Sequence, residues 1–318
     1  MTRATMVSRV QAYLVARRKL GFALRVEGGE LLRFARYADN AGHTGPVTID
    51  VALRWAQEAT TATPLYRARR LEVVRGFAKY MIAMEPRTEI PPVGLLGPAH
   101  RRMPPYIFST SDIAGLLLAA SHLPSPRGLR GATYTSLLGL LASAGLRVSE
   151  ALQLRREDAD LGSGVITIRR TKFRKSRLIP LHPSARVELR RYLDLRDAIV
   201  APATGTTFFV SEAGNALPYT TVRCVCRKLI DGVVRPVGFH RRPHVHDLRH
   251  TFACRCLLRW YRQGVDVEQR VAALSTYLGH AKVSDTYWYL TGVPELMAIA
   301  AARFERFGRE GGQHGARR

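Results

Sequence analysis

GVITIRRTKFRKSRLIPL, Gly164 to Leu181, is the stretch on which the fold turns. Two short β-branched runs, GVITIRR and SRLIPL, flank the basic turn TKFRKS, and this pattern predicts two strands joined by a tight connection. Almost everything around them reads as helix. Downstream, SARVELRRYLDLRDAIV is helical. TTFFVSEAGNALPY is an extended segment with a turn that leads to a cap at Thr220, and a helical pattern then runs to Gly264, broken at VRPVGFHRRPHVHD. Upstream, STSDIAGLLLAASHL is capped by Ser109 or Thr110. TYTSLLGLLASAG is apolar nearly all round, which predicts a buried helix ending at Gly145. The expected class is mainly α with a small antiparallel β-sheet.

The first ninety residues read as helix throughout. MVSRVQAYLVARRKLG stops at Gly21, and GELLRFARYADNAG runs from Gly29 to Gly42. Thr48 is placed to cap VALRWAQEAT, and Pro64 opens PLYRARRLEVVRGFAKYMIAM. Arg67, Arg69, Arg70, Arg75 and Lys79 on that last segment make either a solvated face or one that tracks phosphates. Pro91, Pro92, Pro98, Pro104 and Pro105 then mark a linker. The expected organisation is a helical domain over 1–90, a linker over 91–106, a second domain over 107–308 and a flexible basic tail over 309–318.

The charge narrows the partner. Lys and Arg total 49 against 25 Asp and Glu, a net charge of +24 spread along 318 residues. Such a surface favours polyanions, with nucleic acid first and a membrane surface or ribosomal setting as the bland alternatives. The basic start has no apolar segment typical of a secretory signal, and no run is long enough to span a bilayer, so a cytoplasmic location and no membrane partner are expected. The four cysteines form two CxC pairs, Cys224/Cys226 and Cys254/Cys256, in helical stretches. Residues two apart on a helix diverge, so four buried thiols are expected and no metal.

Four places combine cations with proton-transfer groups. They are Arg147 with Glu150 in SAGLRVSE, Lys172 with Arg174 and Lys175 in the basic turn, HVHDLRH with His244, His246, Arg249 and His250, and LGHAKVSDTYWYLTG with His280, Tyr287 and Tyr289. Each has a dull explanation alone: a helix-surface ion pair for Arg147 and Glu150, solvated charge for the turn, a surface residue for His244, a helix cap for His280.

Together and in this order, GLRVSEAL, a turn lysine before RLIPL, HDLRHTFA, and LGH followed nine residues later by a tyrosine resemble the tyrosine recombinase (phage integrase) family over about residues 107–300. The N-terminal part resembles, more weakly, that family's SAM-like helical core-binding domain, which clamps DNA. The resemblance implies an α+β catalytic domain that breaks and rejoins DNA through a 3′-phosphotyrosyl intermediate. It implies that Arg147 and Arg249 hold the scissile phosphate and Lys172 protonates the leaving 5′ oxygen. His246 and His280 complete the pocket and assist proton transfer, Glu150 supports the first arginine, and Tyr289 is the nucleophile. Tyr287 and Tyr289 lie about 200° apart on a helix, so both cannot face one pocket.

No cofactor is expected, because two fixed guanidiniums answer the charge of the transition state without a metal. The implied partners are double-stranded DNA at a specific site and a homotetramer, or a mixed tetramer with related recombinases. The amphipathic segment VPELMAIAAARFERF would pack on its own domain or dock on a neighbour. The long stretch between Arg249 and His280 resembles transposase-type members from mobile elements. Three alternatives share the charge pattern: a catalytically weak DNA-binding accessory protein of the same fold, a type IB topoisomerase, and a zinc nuclease using His244, His246, His250 and the cysteines.

Overall fold

Threonines open three of the first four helices. Thr5, Thr48 and Thr63 accept from the backbone N–H of Ser8, Val51 and Tyr66, at the starts of α1 (Met6–Lys19), α3 (Ile49–Glu58) and α4 (Pro64–Met81). α2 (Arg25–Asn40) begins four residues ahead of the expected Gly29, and its Asp39 carboxylate accepts from Met6 and Val7 at the N-terminus of α1 (2.7 and 3.1 Å). The computed structural model describes residues 5–100, 103–169, 176–200, 207–236, 241–280 and 282–291, the last four of these by backbone alone, together with 298, 301 and 305.

The chain divides into two units, 1–102 and 103–318. Leu14, Phe34, Trp55 and Phe77 centre the core of the first. Its last segment corrects the expected linker. Pro91 is buried, Glu89 N–H donates to Val47 O (2.8 Å), and Ile90 and Leu96 pack on the helical core. Arg75 Nε donates to the carbonyl of Pro91 (2.9 Å), so one of the α4 cations holds this segment down.

In the second unit, α5 (Thr110–Ser121) starts with a capping box between Ser109 and Asp112. It packs on α6 (Leu129–Ala144), which begins four residues earlier than read and buries Leu137, Leu138, Leu140 and Leu141. Truncating any one of these leucines to alanine would cost about 2–5 kcal/mol. α7 (Val148–Gln153) follows after one sharp turn, and β1 (Ala159–Asp160), β2 (Val165–Ile168) and β3 (Arg177–Pro180) form an antiparallel sheet in that order. Ile166 pairs with Ile179 and Ile168 with Arg177. The two-residue β1 has no sequence pattern of its own. The turn that joins β2 to β3 lies outside the described residues over 170–175.

α8 (Pro183–Ile199) packs on α6. Phe208, Phe209 and Val210 are then buried ahead of a tight turn closed by a Val210–Ala216 bridge. α9 (Tyr219–Val233) starts directly after Pro218. Thr220 is therefore inside the helix and caps nothing, because the proline already sets the turn. α10 (Asp247–Arg262), α11 (Val267–Leu278) and α12 (Ser284–Thr291) close the unit, with a small core of Cys254, Leu257, Val271 and Leu274 between α10 and α11. Phe108 N–H donates to Thr251 Oγ1 (3.0 Å) and ties the start of this unit to α10. Cys226 and Cys254 are buried and Cys256 half-buried, but Cys224 is exposed, which corrects the expectation of four buried thiols. Two residues apart on α9, Cys224 and Cys226 point to opposite sides. Among the described residues no helix is long and apolar enough to cross a membrane.

Candidate active site

α6 ends at Gly145 with φ +61°, and the ring of Phe252 occupies the space a Cβ would need. The chain therefore turns in one residue, and Arg147 becomes the N-cap of α7. Glu150, one helical turn on, accepts the Arg147 backbone N–H (3.0 Å) and Arg147 Nη1 (2.7 Å). It also accepts both terminal nitrogens of Arg177 from β3 (3.1 and 2.8 Å). Burial alone would raise the Glu150 pKa, but the Arg177 and Arg147 hydrogen bonds hold it below its ordinary value. One buried carboxylate thus braces two guanidiniums.

Arg249 comes from the first turn of α10. A buried Asp247 fixes that turn, accepting Arg241 Nη2 (2.7 Å) and the His244 N–H (3.0 Å). Arg249 is 1% exposed; its Nη1 donates to Gly145 O (2.8 Å) and its Nη2 to Leu278 O (2.6 Å). Arg147 Nη2 donates to the next carbonyl, Gly279 O (2.8 Å). Two arginines 102 positions apart in sequence therefore hang on consecutive carbonyls, immediately before His280. Gly279 ends α11 with φ +68°, and a Cβ there would lie 2.9 Å from Arg177 Nη1 and 3.5 Å from Arg147 Nη1. Only glycine meets the left-handed turn and this close approach together.

The histidines stand among these cations. The His246 and His250 rings meet edge to face at 5.0 Å, and His280 Nδ1 lies 2.7 Å from Thr286 Oγ1 of α12. Burial, then the Arg249 charge, pushes His246 down to about 4. Burial, then Arg249 and Arg147, pushes His280 to about 4. Burial, then His246, takes His250 to about 3. All three are neutral near pH 7. Each folded-state value lies below the unfolded one, so the unfolded chain binds more protons as pH falls below about 6.5. Stability is therefore full above that pH, falls toward pH 4, and stops falling from this source below about 3. A loss of roughly 2–4 kcal/mol in the second unit is expected between pH 7.5 and 5, read from urea midpoints. A pH-independent midpoint would contradict this burial.

Of the sequence-predicted residues, the structure brings together Arg147, Glu150, His246, Arg249 and His280. Lys172, Arg174 and Lys175 lie outside the described residues, as does the side chain of Tyr289, whose backbone is in α12. Tyr287 is 44% exposed. His244 is mostly exposed, with Nδ1 3.2 Å from Asp247 and Nε2 2.6 Å from Arg241. Arg177 and Thr286 were not singled out by the sequence. The α4 cations do not act as one face. Arg69 and Lys79 are exposed, Arg67 donates to the carbonyls of Ala59 and Thr60, and Arg75 holds Pro91 and pairs with Glu72. Arg70 is buried, 4.0 Å over the Trp55 ring, which corrects its reading as a phosphate contact.

Among the described residues no group of His, Cys, Asp and Glu side chains is disposed to hold a metal ion. Burial also pushes the thiols of Cys226 and Cys254 up to about 12, away from the thiolate a metal requires.

Comparison with known proteins agrees with this arrangement. Residues 110–293 match the Phage integrase family. The chain is 43% identical over 306 residues to integrase/recombinase y4rB of Sinorhizobium fredii, across 93% of this chain and 96% of that protein. It is 32% identical over 222 residues to tyrosine recombinase XerC of Azotobacter vinelandii, across 70% and 68%. Among solved structures, the Tn1549 transposon integrase in complex with transposon right end DNA shares the fold with TM-score 0.69 at 15% identity, over 96% of this chain and 100% of that one. The XerH site-specific recombinase bound to palindromic difH substrate does so with TM-score 0.65 at 19% identity, over 94% and 85%. With two braced arginines, the histidines beside them and a relative alike over nearly its whole length, this chain belongs to the phage integrase family of tyrosine recombinases.

Proposed function

We propose that Tyr289 attacks a DNA phosphodiester seated between Arg147 and Arg249. Family membership makes the chain a site-specific recombinase, an enzyme that breaks and rejoins DNA. In the proposed step the Tyr289 oxygen bonds to phosphorus as the bond from phosphorus to O5′ breaks. Neutral His246 takes the phenolic proton, and the Lys172 ammonium gives one to O5′. The products are a 3′-phosphotyrosyl bond and a free 5′-hydroxyl, and the same steps reversed rejoin a strand without ATP.

The observation that carries the reading is the pair of guanidiniums held on the carbonyls of Leu278 and Gly279. Their positions are fixed before any substrate arrives, so negative charge gathering on the phosphate oxygens meets donors that need no reorganisation. The net charge of +24 supports a duplex as substrate, as do the DNA complexes that the similar transposon integrase and XerH form. The first unit grips that duplex, chiefly through exposed cations such as Arg69 and Lys79. Strand exchange between two duplexes requires four protomers, alike or mixed. Of the segment over 293–307 that would link them, all but 298, 301 and 305 lies outside the described residues. Integration, excision and transposition all follow from this chemistry, and it operates in the cytoplasm.

The test is covalent capture. A nicked suicide duplex built from the flanks of the gene is incubated with the full chain, digested and mapped by mass spectrometry. The expected adduct is on Tyr289 through a 3′-phosphate, formed equally with a chelator present. An adduct elsewhere, or chelator-sensitive cleavage without one, would refute the reading.

A further inference from the structure

We propose that the Thr286 hydroxyl donates its hydrogen to Nδ1 of His280, fixing the ring proton on Nε2 where it donates to the bound phosphate. Thr286 is thus a positioning residue, carried on the nucleophile's own helix. The proposal rests on the reading of His280 and Tyr289 given above.

A neutral imidazole has one N–H and one lone pair, so the partner of one nitrogen decides what the other presents. His280 is neutral near pH 7: burial and then Arg249, Arg147 and Arg177 disfavour a second proton on its ring, and Asp285 opposes them more weakly than Arg249 or Arg147. Three cations converge where an anion belongs. A lone pair turned to that anion would repel it, and an N–H would bind it, so the nitrogen away from Thr286 must carry the proton. Nδ1 is then an acceptor and needs a donor. Thr286 Oγ1 stands 2.7 Å from it, in a side chain with no solvent exposure, so water does not compete for the bond.

Position on the chain gives the contact a second consequence. Gly279 fixes the backbone before His280, and Thr286 lies within α12, three residues before Tyr289. The ring is therefore held from two sides, by the end of α11 and by the helix that carries the attacking residue. A shift of α12 that withdraws the tyrosine also withdraws the partner of Nδ1. Phosphate binding by His280 and delivery of the nucleophile are joined through one hydroxyl.

Three measurements on the full chain test this. In long-range 1H–15N spectra at pH 7.5, His280 should show a protonated Nε2 and an Nδ1 that accepts; a protonated Nδ1 would overturn the proposal, since Thr286 would then be the acceptor. In single-turnover cleavage of the suicide duplex at saturation, Thr286→Val should lower the rate about 10–100-fold, less than the ~10²–10³ for loss of a whole donor. DNA affinity should move by less than about twofold, because phosphate cations dominate it, and Thr286→Ser should restore most of the rate. On a His280→Ala background, Thr286→Val should cost nothing further. Losses that add would show that Thr286 serves only the packing of α12. A wild-type chain that forms no Tyr289 adduct would instead strike the reaction itself, a result separate from the ring proton seen in the spectra.

Discussion

Tyr289→Phe abolishes covalent capture of DNA, with single-turnover cleavage falling at least ~10⁴-fold, while duplex binding changes less than about twofold. The substitution removes one oxygen and leaves the ring, so α12 keeps its packing and the phosphate keeps its cations. What disappears is the atom proposed to form the new bond to phosphorus. A pocket of guanidiniums still polarises the phosphodiester, but water must replace a tethered nucleophile, and the advantage of proximity goes with the hydroxyl. Tyr287→Phe, by contrast, leaves the rate within about twofold, because positions two apart on a helix are turned by about 200° and Tyr287 is 44% exposed. Gel shift reads binding, and the slow-migrating protein–DNA species reads cleavage. An adduct that survives in Tyr289→Phe, or is lost in Tyr287→Phe, would move the nucleophile.

The order of these groups along the chain was legible through the resemblance to tyrosine recombinases, and the chemistry then accounts for each residue type. An already anionic ester needs fixed cations, a poor leaving group needs a proton, and a hydroxyl must attack. The brace behind them was harder to read. Arg177 follows a cluster of basic turn residues, and composition makes it one more solvated charge. Its alternation tells a different story: Arg177 and Ile179 share the inward face of β3, while Leu178 is 66% exposed. An arginine facing in and a leucine facing out invert the usual hydropathy, and only a buried carboxylate explains it. That carboxylate, Glu150, was legible as a neighbour of Arg147 but not as the partner of a strand 27 residues on. Arg70 misled in the opposite direction. Its place among exposed cations on α4 suggested phosphate, yet the face of Trp55 lies beneath it, a contact between helices that no local pattern announces. Thr286 carries no sequence signal at all, since its partner is set by how α11 and α12 meet. The prolines over 91–106 were read as an open linker because they break regular structure. They also leave carbonyls without ladder partners, and Arg75 satisfies one of them.

Arg249→Ala lowers cleavage about 10³-fold or more, and it also destabilises the second unit, unlike Arg147→Ala. The two arginines are proposed to serve the phosphate alike but are built in differently. The Arg147 side chain is 25% exposed and anchored mainly by Glu150, which Arg177 would still hold in its absence. Arg249 is buried, and its two terminal nitrogens bridge Gly145 O at the end of α6 to Leu278 O at the end of α11. Truncation removes the donor from two buried carbonyls, at about 1–3 kcal/mol each, offset in part by relief of a buried positive charge among like charges. Arg249→Lys separates charge from shape. Lysine keeps the cation, but a single ammonium cannot span both carbonyls as the planar fork does, so it should recover less than about a tenth of the lost rate. A further sign follows from the field. The Arg249 charge helps hold His246 and His280 at about 4, so both should titrate at higher pH in Arg249→Ala, by 1H–15N titration. Cleavage by Arg249→Lys at the wild-type rate, or a loss of stability no greater than in Arg147→Ala, would show that the bridge between α6 and α11 does not hold the phosphate site in place.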